Sequence, residues 1–456
     1  MKLINISTII LFIGFATGFG SCRRYLDAKS DQKLSTPETV DDLQAILDYP
    51  QLNNSGLNVA DEMSDEYYLQ DADWQSAQLR TNNAYVWDAN LDDPNDWTNQ
   101  YLNAYYSNTA LYNLPLIKDI YGQGERMKQI KGNALFRRAY AFYNVAQLFA
   151  PQYNKNTAST DLGIPLRLDA NFNTPSKRAT LQETYDQILN DLTEASTLLT
   201  DVSSVKTRPS KVACYALLAR IYLIMGDYLN AKVNANAGLQ LYNTLMDFND
   251  VNWIPDPFSY SPIKEFNPEI IFWSNTENPV NLDSRAKVDS NLYASFEAND
   301  MRKDVFFADN GDGTFQFKGS YNDINSIGLF QGIATDEVFL IRAEGYAREG
   351  NTAAAMQDLN TLLQKRWKSG TFIPLSANSS DLALKLILQE RKKELIYRAL
   401  RWTDLRRLSK DVSLAVTPRR KINGQVYDLP PNDPKYTLLI PKDIMNITNL
   451  QQNPRK

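Results

Sequence analysis

The chain has 456 residues, and its 53 acidic and 48 basic side chains give a net charge of −5 at pH 7. A mildly acidic chain without a long basic run does not have the composition of a nucleic-acid-binding protein. Histidine is absent, which excludes serine–histidine triads, cysteine–histidine dyads and histidine-ligated zinc or iron, and with them most hydrolase chemistry. The length is sufficient for one large domain or two lobes with an ample core.

The N-terminus has the order of a bacterial lipoprotein signal peptide. A short positive start precedes an apolar run from Leu3 to Phe19, and Gly20-Ser21 stands directly before Cys22. This order predicts removal of residues 1–21 and acylation of Cys22. The alternative is an ordinary secreted protein, but the chain has only two cysteines, and one at a cleavage point is seldom accidental. The run is too short and too interrupted to span a bilayer comfortably, so we expect the lipid to hold the protein on its membrane.

Irregular and helical segments alternate behind the signal peptide. The region from Asn53 to Asp96 is rich in aromatic residues, and a helix is predicted to begin near Trp97. Lys131–Phe149 carries apolar side chains at three- and four-residue steps and is followed by Pro151, which predicts a helix with one apolar face.

A four-residue pattern occurs twice in the later helical segments. The two copies have identical offsets and are Ala219, Tyr222, Gly226 and Ala231, and Ala343, Tyr346, Gly350 and Ala355. Small residues let two helices approach closely, and glycine followed by Asp or Asn supplies a turn, which is the spacing of a tetratricopeptide helix pair. Any tight helical hairpin can imitate it. Because the copies are not in tandem, we predict helix pairs within a larger body and not a plain solenoid.

A proline-rich segment separates the two copies. Five prolines stand among aromatic side chains between Asn249 and Ser284, and prolines forbid a long helix there. We predict short strands at Glu269–Trp273, Val305–Phe307 and Phe315–Phe317, with a turn between the last two. Loops of this length in a compact protein are usually functional.

Two acidic features invite a functional interpretation. The turn at 309–314 is rich in Asp and Gly, but Gly311 and Ser320 occupy the third and twelfth positions, where an EF-hand needs other residues. A bare hairpin turn is therefore favoured. The acid pairs Asp61-Glu62 and Asp65-Glu66 have the residue types of glycosidase carboxylates, yet nothing in the sequence places two of them across a cleft.

The strongest pattern lies at residues 390–407. Taken as one continuous helix, it has an apolar stripe that includes Leu395 and Trp402, while Glu394 and Arg398 sit one turn apart. We expect an amphipathic helix whose charges pair with the helical body.

This segment resembles the C-terminal signature of the SusD/RagB family, surface lipoproteins of Bacteroidetes that bind nutrients for a TonB-dependent transporter. The family pattern is matched by Glu390, Arg391, Glu394, Leu395, Tyr397, Arg401, Trp402, Asp404, Leu405, Arg406 and Arg407. Arg398 stands where the family usually has glutamate, so we expect one internal ion pair to be rewired. Residues 22–27, 340–344 and 440–454 match as well, and the resemblance covers essentially the whole mature chain.

The resemblance implies a mostly α-helical fold, in which tetratricopeptide-like helix pairs form a scaffold that carries a loop-rich lobe with short strands. We expect a signal peptide at 1–21, a SusD-like N-terminal region with helical hairpins at 22–248, a loop-rich insertion at 249–334 and a C-terminal helical region at 335–456. The family also implies a binding protein without catalysis, and we expect no cofactor and no catalytic metal.

The implied function is capture of an oligosaccharide, or less often a peptide, at the outer membrane and its delivery to a SusC-like TonB-dependent barrel. A lipid-anchored glycosidase and a structural assembly lipoprotein are the alternatives. The sequence does not identify the ligand.

Candidate ligand-binding residues follow from physics alone, because the loops vary within the family. Aromatic faces stack on the C–H groups of a sugar, and planar donors and acceptors bind its hydroxyls. The candidates are Trp74, Trp253 and Tyr260 as stacking faces and Arg80 and Asn82 as hydrogen-bonding groups. Trp97, Trp273, Trp367 and Trp402 are assigned to the core or to helix contacts, and Trp87 is left open.

Overall fold

Helices dominate the computed structural model of the protein, which describes residues 37–117, 122–171, 173–276, 285–323 and 328–455. In these residues the α-helices are α1 Val40–Leu47, α2 Asn58–Glu62, α3 Asp71–Ser76, α4 Leu79–Tyr85, α5 Pro94–Asn113, α6 Gly124–Phe149, α7 Leu181–Leu198, α8 Lys211–Met225, α9 Tyr228–Leu241, α10 Ser290–Ala294, α11 Arg302–Phe306, α12 Thr335–Arg348, α13 Thr352–Gln364, α14 Ser380–Glu394, α15 Leu400–Leu408 and α16 Lys442–Ile447. The strands are β1 Tyr67–Tyr68, β2 Leu162–Pro165, β3 Arg178–Thr180, β4 Ile270–Phe272, β5 Lys287–Val288, β6 Phe307–Asp309, β7 Phe315–Phe317, β8 Ile333–Ala334, β9 Arg419–Ile422 and β10 Gln425–Asp428.

Helix α6 is the centre of the main core. It starts earlier than predicted and ends at Phe149, as the proline at 151 led us to expect. Every residue from 132 to 149 is buried, because α5 and α7 pack against it on either side. None of the described helices combines the length and the hydropathy that crossing a bilayer requires. Cys22 lies outside the described residues.

The two predicted helix pairs are confirmed as α8–α9 and α12–α13. Gly226 and Gly350 link their helices with φ of +79° and +85°, a conformation that only glycine adopts without strain. Helix α9 packs on α12, so the two pairs are neighbours in space. At Gly345 of α12, an added Cβ would come 2.7 Å from the side chain of Lys232 on α9, which explains the small residue there.

Short antiparallel strand pairs join distant parts of the chain into a second core. Tyr67 of β1 is paired with Val288 of β5, and Ile270 of β4 with Ala334 of β8. The hydrophobic cluster around them includes residues from both irregular regions and from β9; we call this part the loop-rich lobe. The predicted division of the chain into an N-terminal region, a loop-rich insertion at 249–334 and a C-terminal region stays a prediction.

The strand predictions are correct at Ile270–Phe272 and Phe315–Phe317, and the predicted strand Val305–Phe307 is wrong at its start. Val305 and Phe306 belong to α11, and β6 begins only at Phe307, paired with Phe317 across the predicted hairpin turn. Val305, Phe306 and Phe307 are all buried. A strand would turn alternate side chains to opposite faces, whereas a helical turn before the strand lets all three enter the core.

The prediction of one continuous helix at 390–407 is also wrong. Helix α14 ends at Glu394 and α15 begins at Leu400, and between them Tyr397 and Ala399 have φ of +54° and +57°. The backbone N–H of Ala399 donates to Asp61 at 2.7 Å, and that of Tyr397 donates to Glu66 at 3.2 Å. The two carboxylates thus accept hydrogen bonds from N–H groups that would bind backbone carbonyls in a continuous helix, and they stabilise the break between α14 and α15.

The charged side chains of this segment form a buried ion network with the rest of the fold, as predicted. Arg302 donates to Glu390 at 2.5 Å and to Glu394 at 3.0 Å. Arg366 donates to Glu394 and Glu269, both at 2.7 Å. Buried ions are tolerated when every charge is paired and hydrogen-bonded. Here Arg366 bridges two carboxylates, and Arg302 bridges three, because it also donates to Asp300 at 2.6 Å.

The same arrangement continues along α15. Asp404 accepts hydrogen bonds from Arg391 and Arg407, and Arg407 reaches on to Glu344 of α12. Arg398, the departure from the family pattern, pairs with Asp336 at 2.8 Å. Arg398 thus has a carboxylate partner in this chain, and the rewiring relative to the family stays a prediction.

Most tryptophan assignments are confirmed. Trp97, Trp273 and Trp402 are buried. Trp87, which the sequence left open, is buried too, and its indole N–H donates to the carbonyl of Met63 at 2.9 Å. Trp367 packs against the helical core but stays half-buried.

Candidate functional site

Three exposed aromatic side chains follow one another in residues 251–266, which we call the aromatic loop. Phe258, Tyr260 and Phe266 are 78%, 46% and 43% exposed, and Trp253 is half-buried against the core of the loop-rich lobe. Clustered exposed apolar side chains mark interaction surfaces on soluble domains. Two of the predicted stacking faces, Trp253 and Tyr260, thus lie on one surface segment.

Aliphatic anchors hold the aromatic loop against the lobe. Ile254 and Ile263 are buried, and Lys318 donates from Nζ to the carbonyl of Pro257 at 2.7 Å. Burial lowers the pKa of Lys318, which is the cost of placing its ammonium group under the loop. The exposed rings are therefore presented by a backbone that is already fixed.

The aromatic loop has backbone conformations that are unusual for its residues. Ser261 and Phe266 have φ of +51° and +53°, and such strain collects at functional sites. The carboxamide of Asn267, which is buried, accepts from the backbone N–H of Glu269 at 3.1 Å and helps to fix the end of the loop. The ring centroid of Phe266 lies 5.8 Å from that of Trp273.

The structure brings Trp74 and Asn82 together in the neighbouring helices α3 and α4. The indole N–H of Trp74 donates to the backbone carbonyl of Asn82 at 3.3 Å, and Trp74 packs on the core of the loop-rich lobe. The Asn82 Oδ1 is buried and has no hydrogen-bond partner among the described residues. Both residues remain predictions as ligand contacts.

Arg80 is engaged within the fold. Its guanidinium forms ion pairs with Glu62 and, at 3.0 Å, with Asp93, and both carboxylates are buried. Burial opposes the charge, but Glu62 and Asp93 raise the pKa of Arg80. Arg80 thus has a clear structural role in addition to its predicted ligand contact.

The acid pairs near residue 61 are also engaged by the fold. Asp61 accepts from Gln331 at 2.6 Å in addition to Ala399, and Asp65 accepts from Arg401 at 2.5 Å. Burial raises the pKa of Asp61 to about 7. These carboxylates hold the break between α14 and α15, which argues against a glycosidase pair.

The five candidates lie outside three of the cavities that the described residues form. The walls of three cavities, of about 550, 650 and 490 Å³, include none of them. The aromatic loop is therefore an open platform, which suits a chain-like ligand better than a small molecule. The sequence did not single out Phe258 and Phe266 as candidates, although both stand in the same proline-rich segment as Trp253.

Comparison with known proteins identifies the fold and the family. A family model described as starch-binding and associating with the outer membrane matches residues 24–223, and the model of the SusD family matches residues 335–455. The chain belongs to the SusD/RagB family. Members of this family bind carbohydrate and are associated with the outer membrane.

Individual relatives share the fold at low sequence identity. SusD-like protein P2 of Formosa agariphila is 23% identical over 368 residues, which cover 68% of this chain and 71% of that protein. A SusD superfamily protein from Bacteroides vulgatus ATCC 8482 superposes with a TM-score of 0.75 at 20% identity, covering 92% of this chain and 99% of the other. A laminarin-binding SusD-like protein superposes with a TM-score of 0.66 at 18% identity, covering 91% and 98%. The predicted mostly α-helical, tetratricopeptide-like fold is thus confirmed.

Proposed function

We propose that this SusD-family protein binds an oligosaccharide on the aromatic loop and passes it to a SusC-like TonB-dependent barrel, without catalysis. The main support for the proposal is the group of exposed rings at Phe258, Tyr260 and Phe266. They stand on a loop that Lys318 fixes through its hydrogen bond to the carbonyl of Pro257. A sugar ring lies on an aromatic face through its C–H groups, and a rigid platform keeps the ordering entropy of binding low. A SusD-like protein of the same fold binds laminarin, which supports carbohydrate as the ligand class.

A glycan array on the purified protein identifies the ligand, and calorimetry then tests the residues. Trp253→Ala and Tyr260→Ala are each expected to weaken binding by about 2 kcal/mol, close to thirtyfold, as for a hot-spot aromatic. Trp74→Ala tests the second group of candidates in the same way. Val251→Ala is the matched control, because Val251 is exposed in the same loop but has no ring.

Three outcomes would contradict the proposal. Unchanged affinity in all three aromatic variants would mean that the ligand binds elsewhere. Binding to a peptide library but to no glycan would favour the peptide alternative. Cleaved glycan recovered from the calorimeter cell would favour the glycosidase alternative.

The anchor and the transporter are separate parts of the proposal. Cys22→Ala is expected to abolish metabolic palmitate labelling and to release the protein from outer membranes, since the acyl chains supply the attachment. Unchanged labelling and fractionation would contradict the anchor. Affinity purification of the tagged protein from its own membranes is expected to recover a TonB-dependent barrel, and its consistent absence would contradict the partnership.

A further inference from the structure

A cavity of about 490 Å³ lies outside the aromatic loop, beside helix α13. One wall is the face of α13 that carries Gln357, Thr361 and Gln364. The facing wall is the segment 365–374, which contributes Trp367 and Phe372. Its volume falls in the range of about 300–1,000 Å³ that small-molecule sites occupy.

The helical wall is a row of neutral hydrogen-bonding groups. Gln357, Thr361 and Gln364 are four and three residues apart and therefore share one face of α13. Gln357 and Gln364 are exposed, and their carboxamides have no hydrogen-bond partner within the part of the chain that the structure describes. Each carboxamide offers both a donor and an acceptor, which are the groups that sugar hydroxyls bind.

The facing wall is aromatic. The ring centroids of Trp367 and Phe372 are 5.8 Å apart and the rings are inclined by 61°. Both side chains are half-buried, so they are fixed on one side and available on the other. The Trp367 indole nitrogen is buried and has no acceptor among the described residues.

The aromatic wall is rigidly mounted. The side chain of Arg366, fully buried, donates to Glu269 and Glu394. Asn249 donates to the carbonyl of Trp367 at 2.9 Å. At the far end of the segment, the Asn360 carboxamide accepts from the backbone N–H of Leu375 at 2.8 Å and donates to its carbonyl at 2.9 Å. A wall fixed at both ends loses little entropy when a ligand binds.

The charges at the cavity are already paired. Asp247 and Lys365 form an ion pair of 3.1 Å, and Lys368 lies 3.7 Å from Asp304. The cavity therefore has no surplus charge for an ionic ligand. Neutral amides facing two aromatic rings match the hydroxyls and C–H faces of a sugar.

We propose that this cavity is a second saccharide-binding subsite, which takes a neutral sugar unit between the amide row of α13 and Trp367. The inference rests on the proposed function for its ligand class, but it uses residues that the aromatic loop does not. Two subsites engaged by one glycan chain would raise its overall affinity through effective concentration.

Hydrogen–deuterium exchange separates the two sites, because it reads the aromatic loop and the segment 357–374 independently. The probes are neutral hexaoses of glucose, mannose, xylose and galactose. We expect protection of 357–374 that persists in Trp253→Ala and is weakened at least tenfold in apparent affinity by Gln364→Ala and by Trp367→Ala. Ile373→Ala is the matched control, because Ile373 is 80% exposed in the same segment and does not line the cavity.

Each pattern of protection decides between the proposals. Protection of the aromatic loop alone overturns the second subsite and leaves the proposed function standing. Protection of 357–374 alone supports the second subsite and overturns the aromatic loop as the binding surface. Protection of neither segment overturns both. If Trp367→Ala does not fold, the test uses Gln364→Ala, because Gln364 is exposed on α13 and its loss should leave the fold intact.

Discussion

Around Arg302 and Arg366 the protein buries charged side chains, whereas between residues 251 and 266 it exposes aromatic ones. The arginines are fully buried; Arg366 bridges two carboxylates and Arg302 bridges three. In the aromatic loop, by contrast, Ile254 and Ile263 are buried, while Phe258, Tyr260 and Phe266 keep a large part of their side chains exposed. Residue type alone therefore does not separate a structural side chain from a candidate functional one, because the fold decides which side chains are buried.

Breaking the buried ion network gives the largest expected effect. Arg366→Ala leaves Glu269 and Glu394 buried without their shared cation, so we expect it to lower the free energy of unfolding by about 3–5 kcal/mol. Arg419→Ala is the matched control, because it removes a two-bonded pair with Asp428 that is exposed. Urea unfolding measures both variants. Equal stabilities for the two would contradict the assigned role of burial.

The turns of the helix pairs give the next effect. Gly226→Val and Gly350→Val put a β-branched residue at φ near +80°, and we expect each to cost about 1–3 kcal/mol. Gly238→Ala is the control, because an added Cβ there meets only ordinary contacts of 3.6 Å or more. Melting temperatures are the measurement, and wild-type values for both valine variants would show that the turns do not need glycine.

The buried acids predict how stability depends on pH. Burial raises the pKa of Asp61 to about 7, and burial together with Asp61 raises that of Glu66 to about 8. Unfolded carboxyls titrate near 4. The folded state therefore holds these protons more tightly, and stability falls as pH rises from about 5 to 8. Asp404 acts in the opposite sense: despite burial, Arg391 and Arg407 lower its pKa to about 2, so its contribution is lost as pH falls from about 4 toward 2.

Denaturant unfolding at several pH values tests this sign. Between about pH 5 and pH 8 we expect stability to fall by about 1.4 kcal/mol per pH unit for each raised acid, up to the folded pKa of that acid, and to fall less steeply in Asp61→Asn. A profile that is flat or rising over this range would contradict the assignment. The Asp61→Asn variant shows how much of the pH dependence comes from this one buried acid.

The aromatic loop gives the smallest expected effect on stability. Phe258→Ala removes a ring that is 78% exposed, so the melting temperature is expected to stay within error of the wild type. Ser261→Gly relieves a left-handed conformation and is expected to raise stability by up to about 1 kcal/mol. A marked loss of stability in Phe258→Ala would make that ring part of the core and end its candidacy for ligand binding.

Features that depend on local spacing could be predicted from the amino-acid sequence. Helix α6, the glycine turns at Gly226 and Gly350 and the hairpin between β6 and β7 follow from periodicity and turn chemistry over a few residues. The family signature at 390–407 was readable for the same reason, because it is contiguous. The concentration of aromatics in a proline-rich segment was readable too, and it led to Trp253 and Tyr260.

Features that depend on partners far away in the chain could not be predicted from the sequence and became visible in the folded structure. The break between α14 and α15 is held by Asp61 and Glu66, which lie more than 300 residues earlier in the chain. The same is true of Trp367, whose backbone carbonyl accepts a hydrogen bond from Asn249, more than 100 residues earlier in the chain. The spacing of apolar residues indicates which face of a helix or strand is apolar. It does not indicate which side chain from a distant part of the chain will contact that face. Hydrogen bonds and ion pairs of this kind form only when the chain has folded, and they override the local preference for a helix.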